Sequence, residues 1–418
     1  MEIIQALRLI SIILSVMLSI CYLYQFIYLF VPFFLKRKAH KDANQHRYAV
    51  LVAARNEENV LPYLMDSIEA QDYPKELVDV YVVADNCTDK TAERAAQHGA
   101  TVYQRFNKMQ VGKGYALNYL LGRMKKDGKL DTYDAFLVFD ADNLLSSNYI
   151  TEMNKTCSDG FEAFCGYRNS KNYADNWISA GYALWFLHDS VHLNQSRMLV
   201  GTTCAVSGTG FGFTRKTLES CDGWNFFTLT EDIEFDTWCA THGVRIGFCP
   251  DAMLYDEQPT TFGNSWRQRT RWVQGGIQVS IRYAKELIRG LFKGGRISYA
   301  SFETATLSLW GYGTSALIMG FAMITTILSG EWPGVLWVML NTILWMYASM
   351  FLVGLLTTIT EWKKINATSR QKILYLFTFP VFMMTFVPVA VCAIFCKFQW
   401  QPIAHTVAVS VNQVAAGE

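Results

Sequence analysis

Residues 9–35 form an almost unbroken run of Leu, Ile, Val, Phe and Tyr. A helix needs roughly 20 apolar residues to cross a bilayer, and this run exceeds that length. A segment of this kind restricts the fold more than any other feature of the chain, because it must be shielded from water along its whole length. Lys36, Arg37, Lys38 and Lys41 follow it directly. A secretory signal peptide is the rival reading, but the run is too long, only Arg8 precedes it as a basic residue, and no A-x-A-like cleavage site follows. The segment therefore reads as an uncleaved anchor.

Three more apolar stretches, 305–328, 334–359 and 373–396, are each long enough to span. Residues 42–265 between them have the composition of a soluble α/β domain. This segregation accounts for a chain that is 51% hydrophobic and only 17% charged. Basic residues follow the first segment, crowd residues 267–296 (eight Lys or Arg against one Glu), and recur at Lys363, Lys364, Arg370 and Lys372. The positive-inside rule assigns all three groups to the cytoplasmic side. The expected organisation is an anchor over 1–41, a cytosolic domain over 42–265 and amphipathic interfacial helices over 266–300. Three transmembrane helices over 301–396 and a short tail over 397–418 complete a multi-pass protein of the cell membrane. Alternation puts the N-terminus and the tail outside, while Pro380 and Pro388 leave re-entry open for the last segment.

Lys and Arg total 37 against 36 Asp and Glu, so no global basic field exists to hold a nucleic-acid backbone. Ten cysteines occur without a C-x-x-C pair. Those in the middle domain, Cys87, Cys157, Cys165, Cys204, Cys221, Cys239 and Cys249, read as reduced core thiols.

Within that domain the pattern predicts strands over 47–54, 78–84, 101–105 and 134–139, with helices over 57–70, 88–98 and 112–126 between them. Such alternation implies parallel strands in right-handed β-α-β units, with ligands bound beyond the carboxyl ends of the strands. The residues to examine are therefore Arg55, Asn56 and Glu57 after the first strand, Asp85, Asn86 and Cys87 after the second, and Asp140, Ala141 and Asp142 after the last. A lone D-x-D is more often a solvated turn. At the end of an apolar FLVF strand, sharing its edge with Asp85 and Glu57, it suits a hard divalent ion that bridges carboxylates and a diphosphate. Lys113 lies between two glycines at a helix start, where backbone N–H groups favour an anion. The Ser or Thr and the upstream glycine spacing of a P-loop are missing, which disfavours a P-loop nucleotidase.

The ordered motifs V-A-A-R-N-E-E (52–58), V-A-D-N-C-T-D-K-T (83–91), D-A-D (140–142), T-E-D (230–232) and Q-R-T-R-W (268–272) resemble those of the family 2 inverting glycosyltransferases. More narrowly, residues 47–275 are similar to the membrane-embedded branch that contains cellulose, chitin, hyaluronan and poly-N-acetylglucosamine synthases and ceramide glucosyltransferase. The resemblance implies a Rossmann-like GT-A domain with transmembrane helices on both sides. It implies that Ala53, Arg55, Glu57 and Asp85 hold the nucleobase and ribose, that Lys113 lies near the phosphates, and that Asp140 and Asp142 bind Mg²⁺ or Mn²⁺, with Asp142 favoured as the direct ligand. Asp232 matches the catalytic base, which an in-line displacement requires to take the acceptor hydroxyl's proton. Its plainer reading is a helix cap, and the two roles are compatible. Arg271 would face the diphosphate. Gln268, Trp272, Glu231 and the Gly208-Thr209 loop would face the acceptor, although that loop departs from the cellulose-synthase form.

The implied donors are UDP-glucose and UDP-N-acetylglucosamine, and the implied acceptor is a growing β-linked polysaccharide. One-sugar transfer to a ceramide-like or polyprenyl phosphate lipid is the alternative. Four helices are few for a polymer channel, so the first reading calls for a homo-oligomer or an accessory subunit. A transporter or receptor is disfavoured, because the membrane segments lack the buried ionisable residues of a transport path. His188 and His192, four residues apart on a helix, read as structural or acceptor-lining rather than as zinc ligands. Trp400, Gln401 and Pro402 would reach the site only from a cytosolic tail.

Overall fold

The computed structural model describes every residue except 1, 38, 39, 41, 42, 307–310, 331, 397–404, 406 and 416–418. Lys38, Lys41, Trp400, Gln401 and Pro402 lie outside the described residues.

The strands are β1 (Tyr48–Ala54), β2 (Val78–Asp85), β3 (Thr101–Arg105), β4 (Ala135–Asp140), β5 (Leu144–Leu145), β6 (Ala163–Ser170), β7 (Phe211–Thr214) and β8 (Ile246–Asp256). They form one sheet in the order β3-β2-β1-β4-β7-β6-β8-β5. The four strands expected from the sequence are β1 to β4, and they pair in parallel. Alternation along β1 fills two layers. Tyr48, Val50, Val52 and Ala54 pack with the helices Leu61–Glu69 and Tyr149–Ser158, while Ala49 and Leu51 pack with the helices Lys113–Lys126 and Trp177–His188. The first helix starts at Leu61 rather than 57, because the loop residues before it have other partners. Asn56 takes a left-handed φ of 57°, and the Glu57 and Glu58 amides donate to Thr91 Oγ1 (2.8 Å) and Asp89 Oδ2 (3.2 Å).

The other half of the sheet is mixed. β7 runs antiparallel between β4 and β6, β8 runs parallel to β6, and β5 pairs antiparallel with β8. The carboxyl ends of β4, β6 and β8 nevertheless converge, because Asp140, Ser170 and Asp256 end parallel or near-parallel tracks of the sheet.

Among the described residues, three helical segments, Glu2–Phe34, Leu336–Thr360 and Ser369–Phe395, are long and apolar enough to cross a membrane. The apolar helix Gly313–Ser329, which ends one residue past the expected stretch 305–328, is shorter. The last segment is bent: Pro380 lies inside its first part, and the helix breaks at Thr385 between Ser369–Met384 and Phe386–Phe395. At the bend it docks on the helix Phe262–Arg282. Arg269, fully buried, donates to Thr385 Oγ1 (2.6 Å) and the Phe382 carbonyl (3.3 Å) and lies over the rings of Phe382 and Phe386. Phe382 also packs directly on Gly181, where any side chain would overlap its ring.

The described tail residues return to the α/β domain. His405 pairs with Glu57, the Val407 amide donates to Glu257, and Val414 packs with Leu144 and Tyr255. These contacts set the described tail residues against the domain, as a re-entrant last segment would.

Gly181→Val is expected to push Phe382 out of its seat, with an overpacking cost of roughly 1–3 kcal/mol. Thermal unfolding of the purified protein checks this, and an unchanged midpoint counts against the docking contact.

Candidate functional site

One cavity of about 770 Å³ lies at the carboxyl edge of the sheet. Of the residues singled out by sequence, Ala53, Arg55, Glu57, Asp85, Lys113, Asp140, Asp142, Gly208, Glu231, Asp232, Gln268, Arg271 and Trp272 all line it. Thr209 does not. It lies behind the wall, where its hydroxyl donates to Asn143 and accepts from the Asp140 amide at 2.9 Å.

Asp85, Lys113, Asp140, Glu231 and Asp232 owe their places to element ends. Asp85 ends β2 and is buried against Arg105 of β3, Nη1 to Oδ1 2.6 Å. Asp140 ends β4 and pairs with Lys113 Nζ at 2.5 Å. The same ammonium donates to the Gly208 carbonyl at 2.7 Å. Gly208 holds φ at 87°, a left-handed conformation that favours glycine, with Asp232 Oδ2 3.4 Å from where a Cβ would stand. Asp142 is buried and accepts from the Glu257 amide at 3.0 Å. Burial pushes its carboxyl up, but His405, Lys171 and the Glu257 amide together bring it below the usual range. His405 is itself lifted to about 10 against the effect of burial, by the charges of Asp142 and Glu57.

The sequence reading missed four residues of this edge. Arg168 Nε donates to Asp256 Oδ2 at 2.7 Å, and its Nη1 donates to the Ser207 carbonyl. Burial lifts Asp256 to about 6, although Arg168 opposes the shift. Glu257 and Lys171 stand next to them. All four follow from the strand-end rule once β6 and β8 are recognised as strands. His405 had no such signal, because its position depends on the return of the tail.

Glu231 and Asp232 open the helix Glu231–His242 and face the cavity from the opposite wall. Burial, and then the neighbouring Asp232, lift Glu231 to about 7, and burial also raises Asp232. The helix Phe262–Arg282 meets this wall closely, since Gly275 leaves no room for a side chain beside Thr230. Arg271 donates to the Leu229 carbonyl at 2.9 Å, and its charge acts on both carboxyls. Gln268 Oε1 is buried without a hydrogen-bond partner among the described residues. Trp272 packs edge-on to Tyr182 (5.7 Å) and Phe186 (6.2 Å).

His188 and His192 stack at 5.5 Å away from this edge. His192 contacts the Leu29 carbonyl (3.1 Å) and Thr360 Oγ1 (3.4 Å), a structural role that ties the N-terminal helix to the domain. Among the described residues, no group of three or more His, Cys, Asp or Glu side chains is arranged to hold a metal alone.

The strand order and the cavity at the strand ends match a known fold. A mannosyltransferase, PcManGT from Pyrobaculum calidifontis, solved with GDP-Man and Mn²⁺, superposes with a TM-score of 0.56 at 17% identity, covering 93% of this chain and 99% of that one. The fold is GT-A. In sequence, the chain is 28% identical over 244 residues to the beta-monoglucosyldiacylglycerol synthase of Synechocystis sp., covering 56% of this chain and 48% of that protein. It is 23% identical over 262 residues to the poly-beta-1,6-N-acetyl-D-glucosamine synthase of Staphylococcus epidermidis, covering 60% and 61%. The chain spans about half the length of the first of these curated relatives. Residues 46–275, more than half of the chain, match the family described as "Glycosyltransferase like family 2", and the chain belongs to that family.

Proposed function

We propose that the chain is a multi-pass membrane protein whose cytoplasmic domain moves a hexose, with inversion, from a UDP-sugar to an acceptor hydroxyl held at the membrane surface. The observation that carries this reading is the single cavity shared by Asp232, Asp140, Asp142, Lys113 and Arg271. UDP-glucose and UDP-N-acetylglucosamine are the proposed donors. Ala53, Arg55, Glu57 and Asp85 bind the nucleoside, and Lys113 and Arg271 face the diphosphate. Asp232 takes the acceptor proton as the acceptor oxygen bonds to the sugar's C1 and the bond from C1 to the phosphate oxygen breaks.

Asp140 and Asp142 fit Mg²⁺ or Mn²⁺. They offer two oxygen donors at one strand end, and ions that keep waters and substrate phosphates as ligands need few protein carboxylates. Such an ion would neutralise charge on the departing diphosphate.

On the acceptor side the cavity is lined by Val273, Val279, Leu287, Ala300, Met383 and Phe386, from the interfacial helices and the bent last segment. This apolar lining supports a lipid acceptor, in keeping with the relatives whose names specify diacylglycerol. Extension of a β-linked polysaccharide is the second reading. Trp272 favours it as an aromatic face for a sugar ring, and a second copy or an accessory membrane subunit would then complete a channel.

Asp232→Asn is expected to lower kcat by about 10²- to 10⁴-fold while UDP binding, followed by calorimetry, persists. Unchanged turnover rules Asp232 out as the base. The base works only when deprotonated, and burial raises the Asp232 carboxyl, so kcat should fall with acid along a limb that lies above the usual aspartate range. Glu231→Gln removes one of two neighbouring negative charges and should move that limb to lower pH. A kcat profile whose acid limb lies within the usual aspartate range contradicts the assignment.

A further inference from the structure

After the helix Phe262–Arg282 the chain forms two shorter helices, Ala284–Leu291 and Gly295–Ala305, packed closely enough that Gly290 leaves no room for a side chain beside Ser301. This hairpin has two unlike faces. Inward, Leu287 and Ala300 are buried and line the acceptor side of the cavity. Outward, Ile281, Ile288 and Phe292 are 65%, 59% and 84% exposed. Ile281, Lys285, Ile288 and Phe292 recur at three- and four-residue spacing, which sets them on one side.

The same outer surface is basic. Lys285, Arg289, Lys293 and Arg296 are exposed, and none of the four has an ion pair among the described residues. Arg282 is a fifth cation and pairs with the buried Glu234 at 2.9 Å. Glu286, half-buried, is the one acid from 282 to 296. Burial first, and then the charge of Arg296, lower the Arg245 guanidinium, so these two like charges lie near each other.

The hairpin also borders the apolar helices. The Tyr28 and Tyr299 hydroxyls are 2.8 Å apart, and Tyr24 lies edge-on to Phe302 at 6.2 Å, both contacts near the close of the N-terminal helix Glu2–Tyr28. The next helix in the chain is the apolar Gly313–Ser329. Exposed apolar groups interleaved with unpaired cations beside such helices suit one kind of partner. An anionic phospholipid meets both, its phosphodiester at the cations and the first part of its acyl chains at Ile281, Ile288 and Phe292. A soluble anion would leave the apolar groups in water, and a zwitterionic headgroup brings the cations no net charge.

We propose that the outer face of residues 281–296 docks on anionic phospholipid of the leaflet next to the α/β domain, so that one hairpin touches headgroups outside and walls the acceptor side of the cavity inside. This rests on the membrane placement proposed above.

The test uses the full chain, without substrate, in nanodiscs of phosphatidylcholine alone or with about one third phosphatidylglycerol, at low salt. Hydrogen exchange of the backbone amides is followed by mass spectrometry. Phosphatidylglycerol should slow exchange over 281–296 by at least about fivefold, the worth of roughly one cation at an anionic surface, and leave β1 to β4 unchanged. Salt of about 0.5 M should remove the slowing, and so should the combined variant Arg289→Gln, Lys293→Gln and Arg296→Gln. Equal exchange in the two lipid mixtures overturns the proposal, as does slowing that survives in the variant. Slowing that inorganic phosphate reproduces in phosphatidylcholine discs means a free-anion site and overturns it too. Slowing that needs two copies in one disc, whatever the lipid, assigns the face to a second copy, with the same consequence. Should the variant fail to fold, the lipid and salt comparisons on the unaltered chain decide alone. A purified chain that stays monodisperse in buffer without disc or detergent defeats the membrane placement itself, a result distinct from failure of the patch.

Discussion

The site depends on how the protein tolerates a crowd of carboxylates at one sheet edge. Glu57, Asp85, Asp140, Asp142, Asp256 and Glu257 follow or end strands, and Glu231 and Asp232 face them from a helix start. Burial and mutual repulsion both penalise the charged forms. Cations drawn from separate elements offset this: Arg105 from β3, Lys113 from a first helical turn, Arg168 from β6, Arg271 from the interfacial helix and His405 from the tail. The compensation is uneven. Asp142 is held ionised, whereas Glu231 and Asp256 are lifted toward neutrality. The lifted groups therefore lie both at a strand end, Asp256, and at a helix start, Glu231.

The helix Phe262–Arg282 links this edge to the last apolar segment. Arg271 and Arg269 project from one helix in different directions, the first toward the Glu231 and Asp232 carboxyls and the second into the bend of the last apolar segment. Met383 and Phe386 at the bend line the same cavity as Gln268, Arg271 and Trp272.

Much of the sheet edge from β1 to β4 was legible because these strands alternate with helices and end in polar residues. The period-2 apolar pattern of β1 and the D-A-D after β4 are local signals, and the rule that ligands bind at strand ends converts them into a site. The other half was not read. β5 has two residues, β7 has four, and β6 and β8 are separated by long helical and irregular segments, so neither alternation nor length announces them. Arg168, Lys171, Asp256 and Glu257 were lost with those strands. The side of the tail stayed open for a different reason: counting apolar stretches treats each as a straight crossing, while Pro380 and the break at Thr385 bend the last one where it packs on Gly181 and Arg269. The pairing of His405 with Glu57 joins residues 348 positions apart, which no local pattern encodes.

The central claim is a single in-line displacement in which Asp232 is the only group that takes the acceptor proton. Proton NMR of the first product formed from an α-linked UDP-hexose tests it most directly, since the anomeric coupling reports the configuration at C1 before any equilibration. A β-linked product is predicted, and an α-linked product contradicts the account.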